Sequence, residues 1–156
     1  MRTAQPDWNG LALAITAHRR PIVEGLAEFL RQDTVTQNPE RVWAGAAWLT
    51  RAMQARGLTA EITETGGNPA VYGALPVPGA RRTVLIYCHY DVKPAPPAGW
   101  LQPSPFEPVL RCGTAEEGAP VLGLRDATDA ELPRHCLYGR GAADDKGPIW
   151  AHLRSS

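Results

Sequence analysis

From Leu11 to Arg31, apolar side chains recur at Leu11, Ile15, Ile22, Leu26, Phe29 and Leu30, close to the spacing of one helical face. The pattern predicts a helix. Pro21 predicts a break or kink inside it, because a proline ring removes a donor and crowds the preceding turn. Asp33 to Gln37 is polar and β-branched and reads as a connection. Asn38-Pro39-Glu40 then opens a second helix, with a capping side chain, a proline at the first helical position and an acid in the first turn. Ala44, Ala47, Trp48, Leu49 and Met53 supply its expected buried face, and Gly57 its end.

Beyond Leu58 the period shortens to two. Thr59 to Glu64 and Ala70 to Leu75 read as strands joined by a turn at Gly66-Gly67-Asn68, and Pro76 to Ala80 reads as a second turn. Thr83 to Cys88 is different, being apolar almost throughout, as an inner strand covered on both faces would be. Six prolines between residues 92 and 108 exclude a helix or central strand and leave an extended loop. Residues 113–135 are rich in glycine and acids around Val121 to Leu124, a surface excursion with room for a hairpin. Leu137-Tyr138 leads into Gly139-Arg140-Gly141, and a last helix is expected from Lys146 or Pro148. The fold class is therefore α/β, a mixed sheet with flanking helices, over one partial domain.

Charge changes the picture by what it excludes. Sixteen basic and sixteen acidic residues cancel across 156, so no bulk field recruits nucleic acid or an anionic membrane. The substrate must be chosen by a local site. Leu11 to Ala17 is apolar but short, follows Asp7 and runs into His18-Arg19-Arg20, the wrong order for a secretory signal. No run approaches the roughly 20 apolar residues of a membrane helix. A cytoplasmic protein is the expectation. Cys88, Cys112 and Cys136 form no CxxC pair, so neither a disulfide framework nor a thiolate zinc cage is favoured. Cys88, within the apolar run, is expected to be a small buried filler.

Two segments carry chemistry. His89-Tyr90-Asp91 sits at the end of the apolar run, and open α/β sheets bind ligands beyond the carboxyl ends of their strands. A neutral imidazole is a good zinc ligand when its second nitrogen donates to a carboxylate. Residues two apart in extended backbone point the same way, so Asp91 can reach the place His89 occupies. A satisfied polar pair would leave the same trace. The second segment, Gly139 to Pro148, packs three glycines and two acids before a helix. Glycines permit close approach or positive φ, and a carboxylate held there can offer both oxygens to paired metals. A capped helix start would look similar. A phosphate loop is excluded, because the GxxxxGK[ST] order is absent and two acids repel phosphate.

Taken together, TVLIYCHYDVKP, Gly99-Trp100, Pro105-Phe106 and LYGRGAADDKGP resemble the M20 metallopeptidases, over roughly residues 17 to 153. The HYDVKP and DDKGP wording is nearer the dipeptidase branch than the deacylases. The resemblance implies the N-terminal part of a zinc-peptidase (phosphorylase/hydrolase-like) catalytic domain. Its implied cofactor is Zn2+, two per site in complete relatives, with other divalent metals possible. By the same resemblance His89 matches a metal ligand, Asp91 the catalytic acid that orients it, and Asp144 the carboxylate bridging both metals. The Asp144–Asp145 peptide is expected to be cis. The implied substrates are small peptides or N-acyl amino acids, and relatives often dimerise through an inserted lid domain. That lid, a Glu-Glu-x-Gly general base, a third acidic ligand and a late histidine follow the bridging acid in the family, and have no room in the eight residues after Pro148.

Glu116-Glu117-Gly118 precedes Asp144 and is expected to be a solvated acidic turn, not the base. His18, His135 and His152 match no motif and are expected at the surface. The chain alone is expected to bind metal weakly, to hydrolyse negligibly, and to leave sheet edges and apolar faces open. An N-acyl amino acid deacylase, or a truncated remnant acting only as a binding or assembly partner, are the alternatives.

Overall fold

The computed structural model describes residues 7–114 and 117–154. Helix α1 runs Trp8–Ala17 and is capped by the Asp7 carboxylate, which accepts from the Gly10 N–H at 2.9 Å. Helix α2 runs Arg19–Leu30. The break expected at Pro21 falls at His18 (φ −110°, ψ 15°). An unbroken helix would press the Pro21 ring against the Ala17 carbonyl, four residues back. Breaking earlier leaves Pro21 in the first turn of α2, where an amide would have no helical partner anyway.

Helix α3, Pro39–Gln54, starts as its cap predicts: the Asn38 side chain accepts from the Arg41 N–H. Its buried face is Val42, Gly45, Ala46, Leu49 and Thr50. Ala44 is exposed, while Ala47, Trp48 and Met53 are half-buried, so the expected face is rotated. Close packing explains the rotation, since a Cβ on Gly45 would lie 2.2 Å from the Thr34 methyl. The chain before α3 rests directly on that face.

Strands β1 (Thr59–Thr63) and β2 (Ala70–Ala74) pair antiparallel, within a residue of their expected limits. A second sheet has the order β4-β3-β5, with β3 Val109–Arg111, β4 Val121–Leu122 and β5 Cys136–Tyr138, both pairings antiparallel. Of residues 113–135, where a hairpin was expected, Val121–Leu122 forms a strand, but its partner is β3, which lies before that stretch. A single parallel bridge joins Val35 to Val92. Helix α4, Lys146–Arg154, begins at the expected place. The main core gathers Phe29, Val42, Ala46, Leu49, Tyr90, Ile149, Trp150 and Leu153, uniting α2, α3 and α4 with the segment carrying the first motif. A smaller core forms around Leu110, Ala127 and Leu132. The α/β class holds.

One expected element is different. Thr83 to Cys88 joins no ladder among the described residues, and Val84, Leu85 and Tyr87 are 81%, 85% and 87% exposed. An apolar run shows that a strand requires cover, not that the cover is present. The first half of the N-terminal stripe is likewise open: Trp8, Leu11, Leu13 and Ile15 of α1 are exposed. Among the described residues no helix is long and apolar enough to cross a membrane.

Candidate metal centre

Three pieces of chain meet at the centre: residues 34–36, residues 89–92 and the turn carrying Asp144 and Asp145. Residues 34–36, between α2 and α3, lie beside residues 90–92. The Thr34 hydroxyl donates to the Tyr90 carbonyl at 2.6 Å, the Val92 N–H to the Thr34 carbonyl at 2.9 Å, and the Thr36 N–H to the Val92 carbonyl at 2.9 Å. Tyr90 is buried, and its hydroxyl donates to the Pro69 carbonyl. Burial first, then the neighbouring Asp91 charge, pushes its phenol up to about 12. With Tyr90 turned into the core, alternation sends His89 and Asp91 to the other side.

The second motif is folded by its glycines. Gly141 takes φ +87°, a region that side chains disfavour. A Cβ on Gly147 would meet the Ala142 carbonyl oxygen at 2.1 Å, so the turn can close onto α4 only at a glycine. The Asp144–Asp145 peptide is cis, as expected. Lys146 is fully buried and donates to the Phe29 and Gln32 carbonyls, 3.3 and 2.5 Å away, tying this turn to the C-terminal end of α2. Burial pushes its ammonium down to about 7.

The two motifs meet. His89 Nε2 lies 2.9 Å from Asp144 Oδ1, with Asp144 largely in solvent and His89 half-exposed. On the other side of the ring, Nδ1 lies 3.1 Å from the Asp91 carbonyl and 3.5 Å from Asp91 Oδ1. The nearer acceptor is thus the main chain; the carboxylate flanks it. Acceptors at both nitrogens favour the protonated ring, and the imidazole pKa is raised, first by the Asp91 backbone contact, with the Asp144 and Asp91 charges adding to it and burial opposing.

Asp145, in the sequence only the residue after the bridge, has its own work. Its Oδ2 accepts from the His89 N–H at 3.2 Å, and its charge acts on the neighbouring Cys88 thiol. Burial, and then that carboxylate, raise the thiol pKa, and Cys88 is half-buried against the main core. Thr36 is the other residue the sequence reading missed: its hydroxyl donates to Asp91 Oδ2 at 3.0 Å. The alternation of Thr34-Val35-Thr36, β-branched with two hydroxyls on one side, is the signal that would have marked a strand-like partner.

The remaining candidates lie elsewhere in the chain. His18 and His152 are exposed, and His135 is half-buried with Nδ1 beside the Glu131 carbonyl. Glu117 is exposed and accepts from the Thr114 N–H within its own turn, whereas Glu116 lies outside the described residues. Among the described residues no three His, Cys, Asp or Glu side chains form a metal-binding group. His89 and Asp144 still suit one ion. With bonds near 2.0–2.1 Å, the donors of a tetrahedral zinc stand about 3.3 Å apart, close to the spacing found.

No family model matches the chain. Among curated proteins it is similar to the cysteinylglycine-S-conjugate dipeptidase of Corynebacterium striatum, 30% identical over 146 residues, which is 90% of this chain and 27% of that protein. It is also similar to a Cys-Gly metallodipeptidase of Candida albicans, 34% identical over 81 residues, 52% of this chain and 13% of the relative. The chain therefore spans about a quarter of the length of the first of these. Among solved structures, an M20 family metallo-carboxypeptidase from Sulfolobus solfataricus superposes with a TM-score of 0.63 at 28% identity, covering 86% of this chain and 26% of its own. Human carnosine dipeptidase 1 shares the fold, with a TM-score of 0.65 at 24% identity over 92% of this chain and 29% of its own. In sequence the chain is thus similar to dipeptidases, and in fold it matches part of the catalytic domain of an M20 family metallopeptidase.

Proposed function

We propose that this chain contributes part of a dimetal centre, with zinc as the metal, for hydrolysing the peptide bond of dipeptides. The observation that carries the reading is the 2.9 Å approach of His89 Nε2 to Asp144 Oδ1, from segments 55 residues apart in the chain. His89 and Asp144 would hold metal, and Asp91 would orient the ring. A bound divalent metal would supply an activated water and polarise the scissile carbonyl. The chain's own residues fix the imidazole between acceptors, set the Asp144 carboxylate at the solvent edge and hold the turn against α2 through Lys146.

The names of both curated relatives favour a dipeptidase over an N-acyl amino acid deacylase. A cytoplasmic setting belongs to the same reading. Two donors are fewer than the three that a catalytic zinc ordinarily takes from protein. The 156-residue chain should accordingly bind Zn2+ weakly and turn over no dipeptide. Calorimetric titration with Zn2+ tests this: His89→Ala and Asp144→Ala should each weaken binding at least about 10-fold. Equal affinity in the wild type and both variants would defeat the metal reading. Metal-dependent cleavage of Cys-Gly by the purified chain would defeat the claim of inactivity.

A further inference from the structure

Asp91 is held from two directions, and only one belongs to the motif that contains it. We propose that Thr36 is a positioning residue of the centre, its hydroxyl fixing the Asp91 carboxylate in the orientation that faces His89; this rests on the metal reading above. The hydroxyl lies 3.0 Å from Asp91 Oδ2 and 3.1 Å from the Val92 carbonyl, so one proton serves two acceptors. Its place is not set by Asp91. The Thr36 N–H is bound to the Val92 carbonyl at 2.9 Å, and the Thr36 carbonyl accepts from Asn68 Nδ2 at 3.1 Å. Both ends of the residue are thus pinned by the parallel bridge and by the turn after β1, and the hydroxyl is presented ready-made.

The consequence falls on the other oxygen. With Oδ2 held, Oδ1 stands 3.5 Å from His89 Nδ1. About a third of the Asp91 side chain is exposed, and without the Thr36 bond it is free to turn toward water. A groups-behind-ligands arrangement of this kind sets ring orientation and basicity. Direct partners of metal ligands are worth roughly 10–100-fold in affinity. Thr36 acts one bond further out and at the surface, so its loss should weaken metal binding about 3–10-fold, the lower end of that scale.

The test is Zn2+ titration of the whole chain at fixed pH, followed by NMR on the amide resonances of residues 89–91 and 144. Thr36→Val should bind about 3–10-fold more weakly, and Thr36→Ser, which keeps the hydroxyl, should stay within about twofold of wild type. In an Asp91→Asn background, Thr36→Val should add little further loss, because the two act through one contact. Thermal unfolding of the same variants separates this from loss of the fold. Undiminished affinity in Thr36→Val, or an equal further loss in the Asp91→Asn background, overturns the inference while leaving the centre standing. Undiminished binding in His89→Ala removes the centre itself, and the inference with it.

Discussion

His89 has an acceptor at each ring nitrogen, the Asp91 carbonyl at Nδ1 and the Asp144 carboxylate at Nε2. Both arrangements require a proton on the ring, which is why its pKa is raised above the ordinary 6.5. A raised histidine stabilises the fold fully below its unfolded pKa, and that contribution is lost as pH rises through the folded value. A metal must displace the Nε2 proton, so affinity runs the other way. Zn2+ binding should strengthen from pH 6 to pH 8 with release of about one proton, and the midpoint should lie above 6.5. Calorimetry in buffers of differing ionisation enthalpy counts that proton, and a midpoint below 6.5 would contradict the geometry. His89, Asp91 and Asp144 were legible because their motifs are contiguous in sequence. Thr36 and the role of Asp145 were not, since each acts across a long gap that only the folded chain closes.

Between elements, the contact of α2 with α4 sets where Asp144 sits. Trp150 is buried, its indole N–H donates to the Ile22 carbonyl at 2.7 Å, and its ring fills the space where a Gly25 Cβ would lie. It also stacks beneath the Arg56 guanidinium, 4.3 Å from the ring centroid. Trp150→Ala should cost about 3–5 kcal/mol by the usual price of a buried aromatic, and a thermal melt should show it as a large loss of midpoint. It should also weaken Zn2+ binding, because α4 carries the Asp144 turn at its start. A variant that melts like wild type would mean that α4 is not docked this way. Sequence made these helices readable to within a few residues, because caps and proline act locally. The Pro21 break was displaced for an equally local reason, a clash that falls four residues upstream. The inward face of α3 was read in part: Leu49 is buried and Trp48 and Met53 pack on the core, but Ala44 is exposed and Gly45, pressed against Thr34, was missed.

Across the whole molecule, the least legible feature is the fate of Thr83 to Cys88. Its composition called for cover on both faces, and cover depends on partners far away in the chain, which periodicity cannot report. In this structure Val84, Leu85 and Tyr87 stand in solvent, and their segment joins no ladder among the described residues. Such a segment is a template for pairing with another chain. The purified chain should therefore associate with rising concentration, visibly by sedimentation velocity, and should bind a hydrophobic dye. Leu85→Lys with Tyr87→Lys should suppress both. The double variant should cost little stability, roughly 0.5 kcal/mol or less per site, because neither side chain is packed. It should also keep its Zn2+ affinity, since the His89 N–H is held by Asp145, and Tyr90 and Val92 beyond it by the 34–36 segment, not by the exposed run. Leu13→Lys on α1, where apolar side chains are also open, serves as the comparison. If Leu13→Lys alone abolished association, the sticky surface would be the helix; if the double lysine variant unfolded, residues 85 and 87 would have to be packed in solution.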